Sequence, residues 1–368
     1  MSYFAGIDQL PLECLAGCRC ALLTNAGALD ATGRRSVEAL RANGVELAVL
    51  FSPEHGLEAT VADGVAVANQ TDALSGLPVV SLYGAKSAIP QEWMAHFDKM
   101  VIDLPDVGVR YYTYPNTVFT VLDDCAKAGK PVVLLDRANP LGKALEGPFL
   151  EMSHASPVGR FSVPVRHGMT LGEYAQLAVR KFGVAPGVEL MVVPPRFDTV
   201  IKNPMFPDFG RAWKNPSPNL RSFEALCCYP GTCLFEGTDV SEGRGTAYPF
   251  QLIGAPYVNS RELLKNLGGC RFPGLILEEA SFIPDTNKYA GQLCNGVFFH
   301  VIDHRQCRAF EAAMRILDAL WNLYPGRFTF RSEHFDHLLG SSRYRLGCES
   351  LEELLDRAEK DCADFCQS

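Results

Sequence analysis

Between residues 20 and 135 the chain repeats one pattern five times: a short, nearly unbroken apolar run followed by polar or helix-periodic sequence. The runs are Cys20 to Asn25, Val45 to Phe51, Pro78 to Leu82, Met100 to Leu104 and Pro131 to Leu135. A strand with one wet face alternates apolar and polar residues, whereas a continuous run is buried on both faces. Ser36 to Asn43 and Asn116 to Lys127 read as helices, with Gly44 and Gly129 as their stops. Buried strands joined by helices predict an α/β fold. We therefore expect an N-terminal, Rossmann-like domain with a mostly parallel sheet over residues 1–160.

In open parallel sheets, ligands bind beyond the carboxyl ends of the strands. The segments to inspect are thus Thr24-Asn25, Ser52 to Gly56, Pro105 to Tyr112 and Asp136 to Pro140. Residues 161–368 predict a smaller α+β domain, with a substrate cleft between the two. Thr170 to Lys181 reads as a helix with Thr170 as N-cap and Glu173 closing a capping box. Val188 to Val193 and Asn295 to Asp303 read as strands, and Gln306 to Leu323 and Leu351 to Cys366 as helices. Residues 203–250, rich in Pro, Gly and Asn, predict a long ordered loop region, which in a compact domain is usually functional.

Charge narrows the function classes. The 34 Lys and Arg against 42 Asp and Glu give a formal charge of −8. Nucleic acid and anionic membrane both favour basic surfaces, so neither is the expected partner. The 13 cysteines include no C-x-x-C pair, and several lie in apolar stretches. So many thiols suit a reducing compartment. The N-terminal residues lack a basic region and an apolar core, so no secretory signal is expected. No window reaches the ~20 apolar residues that span a bilayer. The expected location is cytoplasmic. Neither a phosphate-binding G-x-x-x-x-G-K-[ST] nor a dinucleotide-binding G-x-G-x-x-G after a strand is present, which argues against nucleotide-driven and redox chemistry.

Three segments could carry chemistry. In Pro53-Glu54-His55-Gly56, a carboxylate directly after a buried strand is partly removed from water, which favours a proton-carrying acid. The plainer account is a turn-capping Glu54 and a surface His55. Asp103 and Asp106 stand with Arg110, Tyr111, Tyr112 and Tyr114. They offer sugar-stacking faces and a guanidinium for a carboxylate, or else an ion pair that fixes the loop. Between Glu236 and Thr246, the side chains of Glu236, Asp239, Glu242 and Arg244 crowd a glycine-rich stretch able to meet many hydroxyls, or form a solvated turn. In His300-Val301-Ile302-Asp303-His304, a strand ending at 303 puts His300 and Asp303 on opposite faces, so these side chains do not converge on a metal.

These residues lie in segments that resemble, in order, the NamZ-type exo-β-N-acetylmuramidases. The segments are LLTNAG (22–27), FSPEHGL (51–57), SLYG (81–84), IDLPDVGVRYYTY (102–114), LLDRANPLG (134–142), EGP (146–148), RHGMTLGE (166–173), NPSPNL (215–220), YPGTCLFEGTDVSEGRGTAYPFQLIGAPY (229–257) and CNGV (294–297). The resemblance implies the same two-domain fold and cleavage of N-acetylmuramic acid from the non-reducing end of peptidoglycan fragments. It implies no cofactor, no metal, and a muropeptide or muramyl disaccharide as small-molecule substrate. Glycosidic cleavage needs carboxylates to carry protons and stabilise positive charge. Glu54 is the expected general acid, with Asp106, Asp239 or Glu242 as second carboxylate. Arg110 or Arg244 would bind the lactyl carboxylate. Asn25, His55, Asp103, Tyr112, Asn219 and Glu236 would complete the sugar site. The chain departs from the family at Ala138, where Pro is common, and at Glu58-Ala59, where Arg-Gly is usual, and it ends without the family's aromatic tail. The rival expectation is a non-catalytic muropeptide-binding protein.

Overall fold

The computed structural model describes residues 2–61, 64–65, 69–84 and 87–367. Its strands are β1 (Tyr3–Phe4), β2 (Arg19–Thr24), β3 (Glu46–Ser52), β4 (Gln70–Thr71), β5 (Pro78–Ser81), β6 (Lys99–Asp103), β7 (Val132–Leu135), β8 (Leu190–Val193), β9 (Arg196–Phe197), β10 (Leu252–Ala255), β11 (Leu275–Phe282) and β12 (Cys294–Val301). The helices are α1 (Leu12–Leu15), α2 (Ser36–Ala42), α3 (Gln91–Met94), α4 (Tyr114–Lys127), α5 (Leu171–Lys181), α6 (Phe223–Thr232), α7 (Ser260–Asn266), α8 (Ala309–Leu323), α9 (Ser332–Leu339) and α10 (Leu351–Gln367), with short 3-10 turns between some of them.

The chain divides into two compact units. The first comprises Met1–Gly108, Tyr112–Lys143 and Gly168–Pro218; the second comprises Val109–Tyr111, Ala144–His167 and Asn219–Ser368. The first unit holds a seven-stranded sheet in the order β4-β5-β3-β2-β6-β7-β8, parallel except for the short edge strand β4. All five apolar runs are strands of this sheet. From β2 the chain builds outward through β3 to β5, then returns to place β6 on the other side of β2 and continues to β7 and β8. The order therefore reverses between β2 and β6, where Leu22 pairs with Val101. Such a reversal opens a crevice at the carboxyl ends of the two strands.

The runs are continuous because both faces are covered. Cys20, Leu22, Leu50, Val101 and Val133 pack with Val37 and Leu40 of α2. Helix α4 buries Val118, Phe119, Val121 and Leu122, and Phe119 meets Tyr174 of α5 edge-on at 4.9 Å. The expected cap of α5 is present: Thr170 Oγ1 accepts from Glu173 N at 3.1 Å, and Glu173 accepts from Thr170 N at 2.8 Å.

Two expectations change. Val188 to Val193 was placed with the second half, but β8 pairs in parallel with β7 and residues 168–218 belong to the first unit. The edge of β7 needed a partner, and the chain supplies it after an excursion. Residues 203–250 are also not one long loop. They contain the buried helix α6, capped by Ser222 Oγ, which accepts from Ala225 N at 3.0 Å. Pro230 lies inside this helix, and Gly231 lets it approach α8 closely: a β-carbon there would sit 1.9 Å from the Ala309 carbonyl oxygen.

The second unit is the α+β part. Its three-stranded antiparallel sheet runs β10-β12-β11. Buried Arg110 ties several of its segments together, donating from Nη1 to the carbonyls of Pro148 and Val163 and from Nη2 to those of Leu338 and Leu339, all at 2.7–3.0 Å. Among the described residues, no helix is long and apolar enough to cross a membrane.

Candidate functional site

The parallel strands of the first unit end on the polar residues that the sequence pointed to. Asn25 follows β2, Glu54 and His55 follow β3, and Asp106 follows β6. Asn25 Nδ2 donates to the Tyr114 hydroxyl at 2.8 Å, and its Oδ1 accepts from Gly27 N at 3.0 Å. The hydroxyls of Tyr112 and Tyr114 both donate to the Pro216 carbonyl, at 3.0 and 2.7 Å, and their rings lie 4.5 Å apart. Glu54 is buried, and each of its carboxylate oxygens accepts one hydrogen bond: Oε2 from Thr113 Oγ1 at 2.7 Å and Oε1 from Gly64 N at 3.1 Å. Two other chain segments thus fix one carboxylate before any ligand arrives. Such pre-organisation is what a catalytic group requires.

His55 takes a left-handed backbone, φ 70°, and its Nδ1 lies 2.8 Å from the Val61 carbonyl. Strained non-glycine residues of this kind cost about 1–3 kcal/mol and cluster at functional sites. The strain here aims the peptide between Glu54 and Gly56 through a sharp turn directly behind the carboxylate.

A cavity of about 400 Å³ opens at the β2/β6 reversal, walled by Gly27, Leu29, Pro105, Asp106, Val107, Arg137, Phe209, Trp213 and Pro216 among others. It shares Gly27 and Pro216 with the hydrogen-bonded cluster around Asn25. Burial pushes the Asp106 carboxyl up to about 7, helped by the nearby Asp136 charge, although the Val107 and Gly108 amides oppose the shift. Its Oδ2 accepts a hydrogen bond from Gly108 N at 3.2 Å; Oδ1 is shielded from water and finds no partner among the described residues.

Asp103 has another task. Its carboxylate is fully buried, held by Arg137 Nε at 2.6 Å and Nη2 at 2.9 Å, and by Ser36 Oγ at 2.6 Å. It orients Arg137 on the cavity wall. The backbone clamp leaves Arg110, which lies in the second unit, spent on carbonyls, so it is no longer the preferred lactyl anchor.

The remaining sequence candidates lie in the second unit. Glu242 is buried between two cations, with Oε1 3.2 Å from Arg244 Nε and Oε2 2.9 Å from Lys288 Nζ. Arg244 also reaches Glu236 at 2.6 Å and lies over the Phe250 ring. Burial works against charge on Glu236, but Arg244 and His334 outweigh it and hold the carboxyl well below its ordinary range. Asp239 accepts from the hydroxyls of Tyr257 at 2.9 Å and Tyr289 at 3.1 Å, and from Thr329 N at 2.9 Å. Asn219, half-buried, stands at the start of this unit's last segment. The structure thus joins Asn25, Glu54 and Tyr112 in one cluster and Glu236, Glu242 and Arg244 in another. His300 Nε2 pairs with Glu278 at 2.6 Å on the exposed side of β12.

Sequence reasoning passed over three contributors. Thr113 lies between two tyrosines that were singled out, and its hydroxyl was the only unremarked polar group there. Arg137 lay in a noted segment beside a noted aspartate. Lys288, 46 residues from Glu242, carries no local signal at all.

Comparison with known proteins agrees with this architecture. The chain is 37% identical over 373 residues to the peptidoglycan β-N-acetylmuramidase NamZ of Bacillus subtilis (strain 168), covering 99% of this chain and 89% of that protein. Two crystal structures of DUF1343 family proteins from Bacteroides fragilis NCTC 9343 share its fold. One superposes with TM-score 0.90 at 28% identity, covering 99% of this chain and 97% of that one; the other has TM-score 0.77 at 29% identity, covering 99% and 96%. Residues 20–224 match the N-terminal part, and residues 227–368 the C-terminal part, of the exo-β-N-acetylmuramidase NamZ family. By both matches and by its nearly full-length relative, the chain belongs to the NamZ exo-β-N-acetylmuramidase family.

Proposed function

We propose that this protein is a glycoside hydrolase that releases N-acetylmuramic acid from the non-reducing end of peptidoglycan fragments. The carrying observation is Glu54: a buried carboxylate with both oxygens held by fixed donors, at the carboxyl ends of a parallel sheet, in a member of this family. A glycosidase needs two carboxyl groups around the bond it breaks, one giving a proton and one receiving or stabilising charge. Glu54 is one of them. Asp106, Asp239 and Glu242 are the sequence candidates for the other.

Asn25, His55 and Tyr112 shape the pocket behind Glu54, and Arg244 is the remaining sequence candidate for the cation that meets the substrate's lactyl carboxylate. Two parallel N–H donors to such a carboxylate contribute about 1.5–3 kcal/mol. All 13 cysteines are free thiols, which supports work in a reducing compartment.

The test is incubation with a muramyl disaccharide and mass analysis of the released sugar. Free N-acetylmuramic acid is the expected product. Glu54→Gln should keep the wild-type melting temperature and lose ~10²–10⁴-fold in turnover. Stoichiometric binding without product over hours, measured by calorimetry, would instead identify a sugar-binding protein.

A further inference from the structure

Two of the sheet-end carboxyl groups of the first unit, Glu54 and Asp106, are not equivalent, and the difference assigns their roles. Glu54 meets a donor at each oxygen. Both oxygens are thus placed as acceptors, the arrangement that a group receiving a proton from water starts from. Asp106 is the reverse case. Its Oδ1 is shielded from water and meets no donor among the described residues, so ionisation would leave a charged oxygen unpaired. Its Oδ2 takes the long bond from Gly108 N at 3.2 Å, and the Val107 amide also opposes protonation without outweighing burial. The side chain stands on the wall of the cavity at the β2/β6 reversal, amid Pro105, Val107 and Leu29. Paired carboxyls in contrasting surroundings are the arrangement that separates an acid from a base.

The other candidates for a proton-carrying role are already engaged. Asp103 is locked to Arg137 and Ser36. Glu242 lies between Arg244 and Lys288. Asp239 accepts from two tyrosines and a backbone amide. The cavity that holds Asp106 is linked to the Glu54 segment by hydrogen bonds: Gly27 and Pro216 wall the cavity, both bond to Asn25, and Tyr114 joins Pro216 to the Glu54 backbone carbonyl.

We propose that Asp106, rather than Glu54, is the proton donor to the leaving group, and that Glu54 is the carboxylate that receives the proton of the attacking water. This assignment rests on the hydrolase reading above. As the C1–oxygen bond breaks, its electron pair goes to the glycosidic oxygen, which takes the Asp106 proton. Water forms the new bond to C1 and gives a proton to Glu54. Solvent then returns that proton to Asp106, so the net reaction is hydrolysis. A carboxyl raised to about 7 still holds its proton on the acid side of neutrality, as this role demands.

Two substrates separate the roles. A muramyl disaccharide needs a proton on its departing alkoxide, whereas 4-methylumbelliferyl β-N-acetylmuramide expels a stable anion without one. Asp106→Asn should lose ~10²–10⁴-fold on the disaccharide and less than about tenfold on the activated glycoside. It should also lose the fall in kcat/KM on the alkaline side of pH 7. Glu54→Gln should lose both activities alike. Equal losses by Asp106→Asn at an unchanged melting temperature overturn the assignment, as does an unaffected Asp106→Asn enzyme. If Asp106→Asn fails to fold, Glu54→Gln decides alone: selective survival of the activated substrate in that variant makes Glu54 the donor and ends the proposal. Failure of the wild-type protein on both substrates would refute the hydrolase reading itself, a result distinct from any of these.

Discussion

Asp106 and Glu54 carry the same chemical group in different surroundings: one carboxyl oxygen of Asp106 has no donor among the described residues, while both of those of Glu54 have one. Because burial raises the Asp106 carboxyl to about 7, the folded protein binds a proton there that the unfolded chain releases near pH 4. The sign follows by linkage: this group's contribution to stability is fully present below about pH 4 and is lost as pH rises towards 7. Asp106→Asn removes the titration. Its stability relative to wild type should therefore rise between pH 4 and pH 7, by at most about 1.4 kcal/mol per pH unit, as read from urea denaturation at several pH values. A flat difference across that range would show that Asp106 is charged in the folded protein. At this scale the sequence made legible the placement of residues at or just beyond the ends of the apolar runs, Asn25, Glu54 and Asp106. Arg110 was not legible, because two of the carbonyls that occupy it lie 228 and 229 residues away and carry no side-chain signature.

The strands were readable because burial on both faces removes polar residues from the sequence, and helix α5 because its cap is written in Thr170 and Glu173. Helix α6 was hidden for a physical reason. Pro230-Gly231 is normally a helix breaker, but in a fully buried helix the glycine is wanted for its missing side chain and tertiary packing overrides propensity. Gly231→Ala tests this. Its methyl would collide with the Ala309 carbonyl oxygen at 1.9 Å and with the Ala313 side chain at 2.7 Å. Overpacking at a helix contact costs about 1–3 kcal/mol, which should outweigh the ~1 kcal/mol by which alanine improves helix propensity. Chemical denaturation should thus show a less stable protein, where propensity alone would give a more stable one. Strand β8 was recognised as a strand but assigned to the wrong unit, because a sequence pattern reveals burial and not which sheet edge a strand will fill.

For the whole molecule, free thiols provide a map of what water can reach. Cys348 and Cys366 are exposed, whereas Cys20, Cys125, Cys227, Cys228, Cys233, Cys294 and Cys307 are buried. A disulfide-exchange reagent such as DTNB should react rapidly with the first pair in the native protein. The seven buried thiols should react only on unfolding, since exchange needs both access and thiolate, and burial raises Cys125 and Cys307 to about 12. Rapid native reaction of the buried set would contradict the packing described above. The division of the chain has a further consequence, which concerns its birth on the ribosome. Because residues 144–167 leave the first unit and 168–218 come back to it, the seven-stranded sheet stays one strand short while nearly half of the polypeptide has already emerged. The open flank of β7 is then a template for any other nascent chain, and a gene fragment stopped at residue 160 would carry that flank permanently.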